Sequence, residues 1–273
     1  RNVKGCWNSG YCGYGCPVNA KQSMLVSTIP EALKAKATLV HHLSVRTLAF
    51  TGDKVTSLSA TAMDSQCIHA NGVAVTVRAK HFVLAGGAIN NPALLLRSKT
   101  PDPHGRIGKR TFLHPVVLSY AVMPEDVNGW YGAPQSVASD QFQWQGNFDK
   151  SPGFKLEVPP INPVLTAALF GRIGGELADG LANLKHFNAM LALVRDGFHE
   201  QSQGGEVRID AAGNPLLDYE ITDYLFAGFK QALLRMTEAQ FAAGAQRVTP
   251  AHLDGVWATS WAQAKPQIEA LAY

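Results

Sequence analysis

His81-Phe82-Val83-Leu84-Ala85-Gly86-Gly87-Ala88-Ile89-Asn90-Asn91-Pro92-Ala93-Leu94-Leu95-Leu96-Arg97-Ser98 reads as a short buried strand, a glycine turn and a helix. Asn91 suits an N-cap and Pro92 suits the first helical position. Glycines at the turn let the backbone approach a ligand closely. The helix N-terminus then directs free N–H groups and a partial positive charge at that ligand, and a flavin ring or its phosphates would suit such a site. Strand–Gly–Gly–helix is also a common structural turn, so the motif alone does not settle a function.

Around it the pattern alternates between helix and strand. Met24, Leu25, Ile29 and Leu33 predict a helix within 22–36, interrupted or kinked at Pro30. Residues 38–48 read as a strand, Gly52-Asp53 as a turn, 54–58 and 73–78 as further strands of a meander. Residues 124–162 are rich in Pro, Gly, Gln and aromatics, including Trp130, Trp144, Phe148 and Phe154, and predict loops and short strands over a pocket. Glycines between 171 and 180 break any helix there. Phe187 to Val194 reads as a buried strand, and Thr222 as the cap of a helix reaching about Ala243.

The composition narrows the function. The 273 residues are 46% hydrophobic and 16% charged, with a net charge of +3. That charge fraction is below the roughly 25% of ordinary soluble domains. No basic run or stripe supports nucleic-acid binding, and no apolar run reaches the roughly 18 residues that span a bilayer. No nucleophile elbow, His-Glu-x-x-His or phosphate loop is present, which leaves hydrolase, zinc-protease and nucleotidase readings without support. Of four cysteines, Cys6, Cys12 and Cys16 cluster and Cys67 stands alone. A disulfide or a set of free thiols suits the C-x5-C-x3-C spacing better than zinc, even with His41 or His42 as a fourth ligand. His114, before Pro115, reads as structural rather than as a catalytic base.

Gly86 to Ser98 resembles the second signature of the glucose–methanol–choline (GMC) oxidoreductases. Asn91 stands where Ser or Thr is usual, and Ser98-Lys99-Thr100 where Ser-Gly often follows. Four further segments resemble the family in the same order. They are the Cys-rich loop from Gly5-Cys6 to Ser23, Ile107-Gly108-Lys109 with Leu113-His114-Pro115, the hairpin from Gly205 to Tyr219, and the helix from Gly228 to Ala245.

The resemblance implies an α/β (α+β) fold. A partial FAD/NAD(P)-binding, Rossmann-like domain at 1–106 would precede an antiparallel-sheet substrate-binding domain at 107–249 and a return segment at 250–273. It implies FAD as cofactor, with the backbone of Val45 beside the adenine and Gly86, Gly87 and Ala88 on the flavin side. It implies an alcohol substrate, an unspecified electron acceptor, and oxidation of CH–OH with hydride transfer to flavin N5. Gly13-Tyr14-Gly15 has neither the preceding strand nor the third glycine of a pyrophosphate loop. The resemblance therefore implies a parent chain with that loop upstream and the catalytic histidine downstream of Tyr273, the present chain being an internal fragment inactive alone. Two alternatives stay open. One is an iron–sulfur variant using Cys6, Cys12 and Cys16, against which Trp7 occupies a usual cysteine position; the other is a non-enzymatic folded remnant or binding module. Neither cytoplasm nor periplasm is favoured by the sequence.

Overall fold

The computed structural model describes residues 2–144 and 146–272. They form two compact units, each assembled from separate stretches of chain. The meander unit comprises residues 31–113 and 203–220, and the sheet unit comprises residues 1–30, 114–202 and 221–273. The continuous division expected at 106/107 and 249/250 thus differs from the compact units. Helix α1 (Thr28–Lys34) carries the chain from one unit to the other, with Pro30 in its first turn, where a missing N–H costs nothing.

In the meander unit, β1 (Leu43–Thr51), β2 (Lys54–Met63) and β3 (Ala70–Val77) form the expected antiparallel meander. Gly52 takes φ +62 in the turn between the first two strands. The strand starts later than its sequence suggests. Leu39 and Val40 are exposed, and His42 sits at φ +55, which ends regular extension before Leu43. Helix α2 (Gly87–Arg97) packs on β1 and is fastened at its C-terminal end. There Leu48 N donates to Ser98 Oγ at 2.9 Å and Arg97 Nε donates to Arg46 O at 3.1 Å.

The hairpin β8 (Glu206–Ile209) and β9 (Pro215–Asp218) completes this unit from far along the sequence. Its backbone runs against residues 108–111: Val207 N donates to Gly108 O at 2.7 Å, and Thr111 and Gly205 exchange bonds of 2.9 and 2.7 Å. A Cβ on Gly108, which sits at φ +80, would lie 2.2 Å from Val207 O, so only glycine permits the approach. Arg97 adds a further tie, Nη1 donating to Gly213 O at 2.9 Å.

Residues 81–85 do not form the expected strand. They belong to no strand and pair with no neighbour among the described residues, and Val83 is 88% exposed. Their apolar composition, with Phe82 and Val83, favours a strand, yet a strand also needs a ladder partner for its N–H and C=O groups.

The sheet unit is built on a five-stranded antiparallel sheet of order β10-β4-β7-β6-β5. Its strands are β4 (Val116–Val122), β5 (Ala138–Ser139), β6 (Phe154–Glu157), β7 (Phe187–Val194) and β10 (Arg247–Pro250). All ladders among the described residues are antiparallel, so the fold is of mixed α+β type. The central strand β7 matches the run read from the sequence.

One face of the sheet carries an aromatic core: Phe170 meets Tyr120 edge-on at 5.2 Å and Phe187 at 5.5 Å, with Trp257 beside both phenylalanines. Two short helices, α3 (Pro163–Leu169) and α4 (Gly174–Ala182), contribute to it; a Cβ on Gly180 would meet the Phe170 ring at 2.9 Å. The other face takes α5 (Asp223–Ala242), while α6 (Trp261–Glu269) packs beside α5.

Helix α5 buries Tyr224, Leu225, Gly228, Phe229, Ala232, Leu233, Met236, Thr237 and Gln240, a stripe repeating every three to four residues. Gly228 lets the helix come close, since a Cβ there would sit 2.7 Å from Pro152 and 3.0 Å from Val194. Thr222 occupies the cap position as expected, but its hydroxyl makes no cap bond and is buried without a partner. Packing rather than capping holds this helix end.

A polar contact fixes α5 on the sheet. Buried Gln240 accepts from Ser119 Oγ at 2.7 Å and donates to Ser119 O at 3.2 Å and to Asn188 Oδ1 at 3.0 Å. Gln240→Leu leaves Ser119 and Asn188 short of partners and is expected to cost about 1–3 kcal/mol of stability. In denaturant titrations, Gln240→Leu combined with Ser119→Ala should recover part of that loss; equal stability of Gln240→Leu and the wild type would show that the contact contributes nothing.

Candidate functional site

The glycine turn and the N-terminus of α2 lie exposed in the meander unit. The helix starts at Gly87, a turn earlier than the sequence suggests, with Gly86 as N-cap. Asn91 is therefore not the cap, and Pro92 lies inside the helix. Asn91 instead reaches back across the first turn. Its Oδ1 accepts from Gly86 N at 2.8 Å, and its Nδ2 donates to Leu84 O at 3.2 Å. One side chain thus satisfies two backbone groups of the turn and fixes its path. A Cβ on Gly86 would press on that same Oδ1 at 3.0 Å, which explains glycine there. Gly87 takes φ +83, a region that side chains disfavour, and the space where its Cβ would stand is open.

The first turn of α2 has no side-chain cap bond and no acidic residue. Its leading N–H groups and the positive end of the helix dipole face outward, unsatisfied by the helix itself. That is the chemistry of a site for an electron-rich or anionic group. Val45 lies on β1, half-buried, opposite Ala60 and next to Arg46, whose carbonyl Arg97 holds. It is thus near the C-terminal end of α2, whereas Gly86, Gly87 and Ala88 are at the other end. At about 1.5 Å rise per residue the helix separates them by roughly 16 Å. The four predicted residues share a unit but do not converge on one point.

The Cys-rich loop belongs to the sheet unit. All four cysteines are free thiols, so the disulfide reading is not realised. Cys6 Sγ accepts from Asn8 N and Cys16 Sγ accepts from Ala20 N, both at 3.2 Å. No group of three or more His, Cys, Asp or Glu side chains is arranged to hold a metal among the described residues. Backbone N–H groups of Lys21 and then Val18, with further help from Ala20 and the Lys21 ammonium, hold the Cys16 thiol below the ordinary thiol range. A lowered pKa leaves more thiolate at a given pH. The pH profile of iodoacetamide modification at Cys16, followed by peptide mass spectrometry, is expected to have its midpoint below that of a free cysteine peptide. A midpoint at or above the peptide's would contradict the role of these N–H groups.

His114 is exposed, just ahead of β4, and Pro115 O accepts the β7 bond from Val194 N at 2.9 Å. The position leads into β4, which lies inside the sheet between β10 and β7. Three features escaped the sequence reading. Arg195, just past β7, lies against the rings of Trp144, Phe148 and Phe198 at 4.0, 4.8 and 5.0 Å, and burial lowers its pKa. Tyr11 and Tyr14, read only as loop, face Asn162 and Trp130 across a cleft. Asn91 was assigned the wrong hydrogen bonds; the signal for its true role was the five-residue spacing from Gly86, which suits a side chain closing a turn on itself.

The sequence and the fold can be set beside those of known proteins. Residues 1–116 match the family model described as GMC oxidoreductase. An uncharacterized GMC-type oxidoreductase of Mycobacterium tuberculosis is 29% identical over 249 residues, covering 91% of this chain and 36% of that protein. The Arabidopsis thaliana long-chain-alcohol oxidase FAO4B is 25% identical over 257 residues, covering 90% of this chain and 32% of its own length. Pyridoxine 4-oxidase from Mesorbium loti shares the fold, with a TM-score of 0.50 at 16% identity over 92% of this chain and 48% of its own. The chain spans about a third to under half the length of the curated relatives it matches.

Proposed function

We propose that this chain is part of an FAD-dependent oxidoreductase acting on the CH–OH group of an alcohol. The observation that carries the reading is the open turn at Gly86-Gly87-Ala88 leading into the uncapped N-terminus of α2. The residues fit one wall of a flavin site: free N–H groups, open space at Gly87 and no acidic side chain in the first turn. In this reading the turn lies against the flavin end of the cofactor and the Val45 backbone beside the adenine. The length of α2 suits the span of an extended dinucleotide better than that of a compact ligand.

When bound, FAD supplies the acceptor for the carbinol hydride. The chain's own contribution is to position that acceptor. Asn91 fixes the turn through Gly86 N and Leu84 O, so the approaching backbone does not move when the cofactor seats. The match of residues 1–116 to the GMC oxidoreductase family model and the name of the long-chain-alcohol oxidase support an alcohol as substrate. No residue here is assigned as the base that takes the hydroxyl proton, and the electron acceptor is not specified. The pyrophosphate anchor and the base are assigned to sequence beyond these 273 residues. Among the described residues no helix is long and apolar enough to cross a membrane.

Titrating FAD against the 273-residue chain is expected to give weak or no binding, because the pyrophosphate loop is absent from the sequence. A tight, stoichiometric yellow complex would overturn that division of labour. In the protein extended by its flanking coding sequence, Gly87→Val is expected to lower flavin per folded molecule while the melting temperature falls only modestly. Full flavin occupancy in the folded variant would remove the glycine turn from the cofactor site.

A further inference from the structure

The cleft in the sheet unit between the Cys-rich loop and the start of α3 has the makings of a binding site in its own right. It encloses about 510 Å³, within the usual range for small-molecule sites. Its walls are Tyr11, Tyr14 and Trp130, and its apolar floor includes Ile161, Pro163 and Val164. Among the described residues no acidic or basic side chain lines it.

The walls are held from three directions. Gly132 N donates to Asn8 O at 2.9 Å, and Asn8 Nδ2 donates to Tyr131 Oη at 3.1 Å. Gly10 has φ +70, and a Cβ there would strike Trp130 O, so the loop lies directly on this backbone. Ile161 N donates to Gly129 O at 3.0 Å. The cleft is preformed, which lowers the entropic cost of occupying it.

Its polar group has a defined direction. Asn162 caps α3, its Oδ1 accepting from Leu165 N at 2.9 Å, which fixes the amide so that Nδ2 donates to Tyr14 Oη at 3.0 Å. The Tyr14 oxygen is thereby an acceptor toward the protein, and its own proton is left to donate elsewhere. Tyr11 and Tyr14 stand edge-to-face at 6.0 Å, the arrangement that also receives a third ring.

We propose that this cleft binds a neutral, planar aromatic molecule of one or two rings bearing an oxygen acceptor, the ring packed among Tyr11, Tyr14 and Trp130 and the oxygen bonded to the Tyr14 hydroxyl. An anion would find no cation there among the described residues, and a quaternary ammonium would leave the Tyr14 proton to solvent. The inference does not rest on the flavin reading, because it concerns the chain without any cofactor.

Acetophenone serves as probe, with benzoate and benzyltrimethylammonium as charged controls, added to the 273-residue chain and followed by saturation-transfer NMR and tryptophan fluorescence. Saturable acetophenone binding is expected, with both controls at least fivefold weaker. Tyr14→Phe keeps the ring and removes the donor, and is expected to weaken acetophenone about fivefold. Val164→Trp, at an exposed position in the first turn of α3, should fill the cleft and abolish binding with the melting temperature unchanged. Non-saturable binding, a charged control that matches acetophenone, or wild-type affinity in either variant overturns the proposal. FAD binding by the extended protein is untouched by any of these outcomes, so failure here and failure of the proposed function are separable.

Discussion

The approach of the Gly205–Val207 backbone to Gly108–Thr111 is the contact on which the architecture rests. It closes the meander unit from two stretches nearly a hundred residues apart, and it works because Gly108 has no side chain to block Val207 O. Arg97 reinforces it from the end of α2, reaching Arg46 O on β1 and Gly213 O in the hairpin turn. Helix, meander and hairpin therefore share one guanidinium. The chain between these stretches is free to build a separate sheet, and β4 begins only a few residues after Thr111.

The same logic of few, well-placed groups recurs in the sheet unit. Gln240 joins α5 to β4 and β7 with one amide, and Asn162 both caps α3 and orients Tyr14. Each of these side chains uses its donor and its acceptor at once. Such groups fix rotation and register, which apolar packing alone leaves softer. The α2 turn is the counterpart at the proposed cofactor wall, where Asn91 holds the backbone and leaves the helix end open.

What the sequence shows well is whatever local periodicity determines. The meander, the β7 strand and α5 follow from alternation, turn glycines, an apolar run and a capping residue, whereas the hairpin was visible only through the family resemblance. What it shows poorly depends on partners distant in the chain. The 81–85 run has strand composition, yet no ladder partner stands beside it among the described residues. Asn91-Pro92 looks like a helix start because both residues favour one; Gly87 starts the helix earlier because its φ of +83 turns the chain before the apolar run begins. The discontinuous units were invisible because no local signal marks a hairpin that returns to an earlier segment. Of the candidate site, the glycine turn was legible as a motif. The Tyr11, Tyr14 and Asn162 cleft was not, since aromatic residues in a loop carry no period and their meeting depends on the tertiary fold.

The late closure of the meander unit has a consequence for synthesis. On the ribosome, β1, β2, β3 and α2 emerge long before β8 and β9, and the groove beside Gly108–Thr111 stays unfilled while the intervening stretch is made. Vectorial folding from the N-terminus is thus blocked by topology, and the nascent chain holds unpaired backbone and apolar surface until the hairpin clears the exit tunnel. Pauses in translation before Asp218 has cleared the tunnel prolong that exposure, whereas later pauses do not. Slow elongation across that stretch therefore lengthens the time for which the incomplete unit is open to misfolding.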